Sequence, residues 1–137
     1  MKIRITAGPL QFTGELEIVR APKTCAAFVA RLPFKSTLIQ ARWSGESAWI
    51  PLGDLDFGVE AENQTGEPAP GSLLLYPGGV SETEILFPYG ICRFASKHGP
   101  LEGNHFITIV KGGEQLALLG ECVLKHGAQE ILFEEER

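Results

Sequence analysis

The feature that most constrains this chain is a period of two, repeated in short runs and cut by turn residues. In KIRIT (2–6), Ile3 and Ile5 fall on one side. Successive side chains of an extended backbone point to opposite faces, so this alternation reads as a strand with one buried face. It recurs at 15–19 (ELEIV), with Leu16 and Ile18 inward. Further strand-like runs occupy 37–43, 47–50, 72–76, 84–87, 91–96, 104–110 and 129–134. Gly8-Pro9, Ser44-Gly45, Pro77-Gly78-Gly79, Pro88-Tyr89-Gly90 and Gly99-Pro100 read as the turns between them, because Gly supplies positive φ and Pro a fixed one.

Two segments have helical spacing instead. Pro22 fits a first helical position, with Cys25, Phe28, Val29 and Leu32 following on one face, and Pro33 ends the run. From about Gly113 to Lys125, Leu116, Leu119 and Val123 share a face, and Gly127 is the stop. Gly120 lies inside this second helix, at a cost of roughly 1 kcal/mol relative to alanine. Short strands with one early and one late helix cannot supply the crossovers of a parallel sheet. They predict a mainly β fold, an antiparallel barrel or sandwich plugged by the helices, as a single domain over 1–137. Residues 51–70 lack periodicity and carry Asp54, Asp56, Glu60, Glu62 and Glu67. That stretch reads as a solvated excursion, with a cation site as the competing reading.

Composition removes several functional classes. A formal charge of −5, a pI near 5.2 and no basic patch argue against nucleic acid or an anionic membrane as partner. No run of apolar residues is long enough to span a membrane. Cys25, Cys92 and Cys122 form an odd set without CxxC spacing, and MKIRIT lacks the apolar stretch of a signal peptide. Both features suit a reducing cytoplasm. No GxGxxG, GxxxxGK[ST] or GxSxG motif is present, so nothing indicates a nucleotide cofactor or a serine nucleophile. Glu82, Glu84, His98 and His105 are metal-ligand types without a ligand spacing, so no metal is expected.

Two stretches resemble the cyclophilin fold. GELEIVRAPKTCAAFVARLP (14–33) resembles its opening, a strand leading into a Pro-Lys-Thr helix start and a buried Phe. NHFITIVKGGEQLALLGECVLKHGAQEILFEE (104–135) resembles its ending, a His-bearing strand, a helix and a last strand. Between them, ARWSGESAWIP and PGSLLLYPGGVSETEILFPYG are similar to a bacterial family of small cyclophilin-like barrels of unknown function. The resemblance implies a closed antiparallel barrel of eight strands capped by two helices. It also places Arg42 on the strand resembling the one that carries the cyclophilin catalytic arginine, and His105 at the rim histidine. The rest of that set departs: the sole methionine is Met1, WSGESAWIP replaces the Phe, Met and Gln segment, and GPLEGN precedes His105 where a Trp is expected.

The remaining candidates each have two readings. Arg42 is an anion clamp or a partner of Glu46 across the Ser44-Gly45 turn. Trp43 and Trp49 pack on the barrel or make a ligand platform. His105, in phase with Ile107 and Ile109, is a buried histidine or a cleft acid–base group. Arg93 and Lys97 share a face that could join Arg42. Glu82 and Glu84 lie on one side, with Cα atoms roughly 6–7 Å apart, as coupled carboxylates or as a wet strand face.

The favoured function is binding of a small anionic or amide-containing ligand, in a cleft formed by Arg42, Trp43, Glu46, Tyr76, Glu84, Arg93 and His105. The alternatives are a prolyl isomerase or proline-peptide binder, and a non-catalytic homo-oligomer built on exposed Trp, Phe57 and strand edges.

Overall fold

A computed structural model describes all 137 residues. The strands are β1 (Lys2–Ala7), β2 (Leu10–Leu16), β3 (Phe34–Gln40), β4 (Gly45–Pro51), β5 (Gln64–Thr65), β6 (Ser72–Tyr76), β7 (Glu84–Cys92), β8 (Ala95–Ser96), β9 (Gly99–Pro100), β10 (Gly103–Lys111) and β11 (Gln129–Glu135). The helices are α1 (Pro22–Val29) and α2 (Leu116–Lys125), the latter entered through a 3₁₀ turn at Gly113–Gln115. The sheet runs β2-β1-β11-β3-β4-β7-β6-β10, and β10 pairs again with β2 to close an eight-stranded antiparallel barrel. Closure leaves no free edge among these eight strands. The short β5 extends β10, and β8 pairs with β9 as a separate hairpin.

Alternation fills the barrel. Ile3 and Ile5 of β1, Phe12 of β2, Leu38 of β3, Ile50 of β4, Leu73 and Leu75 of β6, Ile85 and Phe87 of β7, and Phe133 of β11 share one core. Phe28 of α1 enters it edge-on to Phe106 and Phe133, with ring centroids at 5.1 Å in both cases. Phe28 also meets Phe34, at the start of β3. At the other end of β3, the Tyr89 hydroxyl donates to Gln40 (2.7 Å), and the Tyr89 ring lies against Gly120 of α2. A Cβ at Gly120 would collide with that ring, so the glycine is a packing requirement rather than a weak point of the helix.

The extended segments deviate from the sequence reading at several places, Gly99-Pro100 among them, which pairs as β9 rather than forming a turn. The second strand spans Leu10–Leu16, not 15–19. Ile18 and Val19 are exposed, Val19 at 89%, in the connection to α1. Gly14 conceals this strand in the sequence: a Cβ there would meet Ile107 Cγ2 at 2.5 Å, so a close strand approach requires glycine. Pro88-Tyr89-Gly90 is no turn, because β7 runs through it as one strand. The last β6–β7 pair before Pro88 is Leu74 with Leu86, and the Pro88 carbonyl accepts Gly71 N–H at 2.9 Å, so no ladder bond needs a proline amide hydrogen. Finally, β3 ends at Gln40, with Leu38 in the core and Arg42 beyond the strand.

Residues 51–70 are an ordered cover rather than a solvated excursion. Phe57 is buried beside Phe34, Leu52, Leu55 and Val59 pack on the core, and Arg31 stacks over the Phe57 ring. Phe57 is therefore not part of an exposed surface. Glu62 caps α1 from outside the helix, accepting Thr24 N–H (2.8 Å), Lys23 N–H (3.2 Å) and the Thr24 hydroxyl (2.8 Å). Ala21 at the cap position has no side-chain acceptor, and the first amides of a helix need one.

Candidate functional site

The outer wall of the barrel carries a second apolar cluster. On β7, Ile85 and Phe87 point inward, so Glu84 and Leu86 point outward. Leu86 pairs with Trp49 on β4 and with Leu74 on β6. One step along, Glu84 lies between Pro51 and Tyr76. Leu74, Tyr76, Leu86, Phe94 and Leu101 form this cluster, with Trp49 and Cys92 against it. The chain from 93 to 102 folds back over the wall to bring Phe94 and Leu101 down.

A pocket of about 240 Å³ opens at the rim of this cluster. Arg42, Trp43 and Ser44 come from the turn between β3 and β4, and Trp49 from β4. Ser81, Glu82 and Glu84 come from the entry to β7, and Lys97 and His98 from the tip of the β8–β9 hairpin. Each wall is pinned. Buried Ser44 donates its hydroxyl to the Ala95 carbonyl and accepts Ala95 N–H, both at 3.0 Å. The Tyr76 oxygen accepts Val80 N–H at 2.9 Å, and Glu82 accepts Gly53 N–H at 3.0 Å. The pocket's lining is thus tied to the surrounding backbone, as a preformed site requires.

Its electrostatics are divided. Arg42 and Lys97 take part in none of the three ion pairs of the molecule, which are Lys35–Glu130, Arg93–Glu67 and Lys125–Glu121. Across from them, Glu84 is only 6% exposed and its carboxyl has no hydrogen-bond partner. Burial, reinforced by the Glu82 carboxylate, pushes the Glu84 carboxyl up to about 8. Glu84 therefore holds its proton at neutral pH and can donate one. Trp43 is 56% exposed at the mouth and Trp49 half-buried in the floor, so the two indoles meet at one pocket as a platform would.

Of the residues singled out from sequence, the fold brings Arg42, Trp43 and Glu84 together. Tyr76 borders Glu84 but turns its hydroxyl to the 80–81 backbone. Glu46 does not pair with Arg42. It accepts Ile91 N–H at 2.8 Å beside Gly90, where a Cβ would lie 2.5 Å from its Oε1. Arg93 is held outside the pocket by Glu67 at 3.1 Å. His105 is also elsewhere. A register shift between His105 and Ile107 sends both Phe106 and Ile107 into the core, so His105 is out of phase with Ile107 and lies on the outside. Its Nε2 bonds the Thr108 hydroxyl (2.9 Å), which donates to Glu17 (3.1 Å). Burial lowers its pKa, against the opposing pull of Glu17. The histidine at the pocket is His98, in the exposed turn between β8 and β9. No group of three His, Cys, Asp or Glu side chains is close enough to hold a metal ion. Cys25, pushed up to about 11 by burial and by the Glu62 carboxylate, is a packing thiol.

Residues 3–134 match a family described as proteins of unknown function, DUF3830, and the chain belongs to that family. No functionally curated protein has a matching sequence. Among solved structures, the chain is similar to McbB in complex with tryptophan, with a TM-score of 0.73 and 17% identity over 98% of this chain. It spans 44% of McbB. A cyclophilin-type peptidyl-prolyl isomerase of Cryptosporidium parvum, determined with the dipeptide Ala-Pro, superposes with a TM-score of 0.62 and 15% identity. That match covers 100% of this chain and 99% of the isomerase. A hypothetical protein of Archaeoglobus fulgidus gives 0.56 and 16%, over 99% of this chain and 95% of its own. At these identities the likeness is one of fold, and the fold is a cyclophilin-like barrel.

Proposed function

We propose that this protein binds a small ligand bearing a carboxylate or amide group in the outer-wall pocket of Arg42, Trp43, Trp49, Glu82, Glu84, Lys97 and His98. The observation that carries the reading is Glu84, buried, facing the pocket and without a partner. Its carboxyl bonds no other protein group and lines the pocket, so a ligand group able to bond it would take the place of solvent there. Arg42 and Lys97, free of ion pairs, supply the charge that a carboxylate or carbonyl would meet. A structural neighbour was determined with tryptophan, which agrees with a small ligand of this chemistry. The test is a thermal-shift screen over organic acids and amides. At least one should raise Tm, by the linkage that gives about 2.7 kcal/mol at 100 times Kd, and Arg42→Ala should lose the response. An unchanged response in that variant would overturn the pocket.

The second reading is a prolyl isomerase or proline-peptide binder. It is favoured by the convergence of an arginine, two tryptophans and a histidine on the outer wall of a cyclophilin-like barrel. Such catalysis needs a donor to the twisted amide beside an apolar seat for the proline ring. A protease-coupled assay with a proline peptide at rates no greater than buffer would exclude it.

A further inference from the structure

We propose that the ligand of the outer-wall pocket is a zwitterion of amino-acid size with a planar or apolar body, its ammonium group seated on Glu84 and Glu82 and its carboxylate on Arg42 and Lys97. This rests on the pocket being a ligand site, and it deepens that reading by fixing which two charges the ligand carries and where each goes.

The first argument is the partition of charge. Glu82 and Glu84 enter from one chain segment, while Arg42, Lys97 and His98 enter from two others. Glu84 and Glu82 are close enough that one carboxylate raises the proton affinity of the other. A neutral amide could bond protonated Glu84 but would bring no counter-charge to the Glu82 carboxylate beside it. A ligand cation lets both carboxyls carry charge and gives Glu84 a partner. A ligand anion alone would be drawn to the basic wall yet placed near two acids. Only a ligand with both charges matches both walls.

The second argument is shape. A space of about 240 Å³ lies at the small end of ligand pockets, which suits an amino acid better than a folded partner. Trp43 and Trp49 offer indole surface to a planar body, and an indole face also attracts an ammonium.

The seating has a proton balance. Glu84 is protonated in the free protein at neutral pH, and an ammonium stabilises its ionised form, so the carboxyl O–H bond breaks and the proton leaves to solvent as the ammonium–carboxylate pair forms. Glu82, before β7, is the charged group that acts on Glu84 in the free protein; Tyr76 on β6, and Arg42, Lys97 and His98 of the same pocket, are the other titratable groups around it. Pro51, opposite on β4, carries no charge.

Calorimetry with three probes tests the assignment: tryptophan, tryptamine (the ammonium half) and indole-3-propionate (the carboxylate half). Tryptophan should bind at least tenfold more tightly than either half at pH 7. Its apparent enthalpy should change between buffers of different ionisation enthalpy, reporting release of close to one proton, and indole-3-propionate should release none. Glu84→Gln should lose the proton release and at least tenfold in tryptophan affinity while keeping indole-3-propionate. Arg42→Ala should do the reverse, weakening indole-3-propionate and sparing tryptamine. Indole-3-propionate binding as tightly as tryptophan, with no proton release, would overturn the zwitterion and leave the pocket standing. If none of the three binds, the zwitterion is again overturned. The pocket itself falls only if the wider screen of acids and amides is also empty.

Discussion

Glu62 and Glu84 are set into the same barrel by two different segments, and their surroundings are opposite. Glu62, in the covering stretch 51–70, accepts two backbone amides and one hydroxyl at the start of α1. Glu84, at the entry to β7, is buried deeper and accepts nothing. Burial alone would raise both carboxyls. For Glu62 the bonds from Thr24 and Lys23 outweigh burial and hold it below the ordinary carboxylate range, whereas for Glu84 burial and Glu82 act together and lift it. The difference separates a carboxylate used by the fold from one the fold tolerates. A site for something else is the simplest physical reason to keep the second.

The largest expected effect breaks the comparison at Glu84. A carboxyl raised in the folded state binds more protons folded than unfolded between its ordinary value near 4.5 and its folded value near 8. Stability should therefore be highest below the lower value, fall through that window and level off above it. The full drop is on the order of 5 kcal/mol at most. Glu84→Gln should flatten the fall and be the more stable protein at pH 8.5, as read by urea unfolding at several pH values. A wild-type curve that is flat from pH 5 to 8 would remove the distinction between the two glutamates.

Next in size is the support under Glu62. Asn104, 1% exposed, accepts Glu62 N–H (3.0 Å) and donates to the Thr24 hydroxyl (3.1 Å) and the Glu60 carbonyl (2.8 Å). Asn104→Ala removes three bonds from a buried side chain and should cost about 3 kcal/mol. Glu62→Ala leaves that network and removes only the cap, which should cost about 1–2 kcal/mol. The cap's contribution is complete above the unfolded carboxylate value and is lost as pH falls through the lower folded one, the opposite sign to Glu84. Equal losses in the two variants, measured at pH 7, would mean that the Asn104 network works only through the cap.

The unequal legibility of the two regions has a physical cause. Period-two runs place Ile3, Ile5 and Leu16 correctly, because one wet and one dry face leave their mark on the sequence itself. The irregularities are invisible there. The shift at His105 and the glycine at 14 depend on what the neighbouring strand brings, and Pro88 is harmless only because β6 has no ladder bond to ask of it. The residues 93–102 fold back over the outer wall, so Lys97 and His98 reach Arg42 across a gap no spacing rule measures. Glu84 could be placed on a strand face from alternation, and its kinship with Glu82 noted. Its lack of a partner depends on Trp49, Leu86 and Phe94, which seal the wall beside it. The Glu62 cap is hidden for the same reason, since its helix lies some forty residues earlier in the chain.

The smallest effect on the fold should carry a large effect on the site. Ser44 joins the arginine-bearing turn to the hairpin that carries Lys97 and His98 through its two bonds to Ala95. Ser44→Ala removes both bonds but leaves the core, the barrel ladder and the outer apolar cluster in place, so unfolding should shift by about 1 kcal/mol. The two basic walls of the pocket would then no longer be held in register. A ligand bridging them must restore that order on binding, and its affinity should fall by more than the stability loss, tenfold or more. Tryptamine, which needs only the Glu84 wall, should be nearly unaffected in the same variant. A parallel loss for tryptamine and tryptophan would mean that Ser44 shapes the acidic wall as well, and that the pocket is one unit rather than two opposed halves.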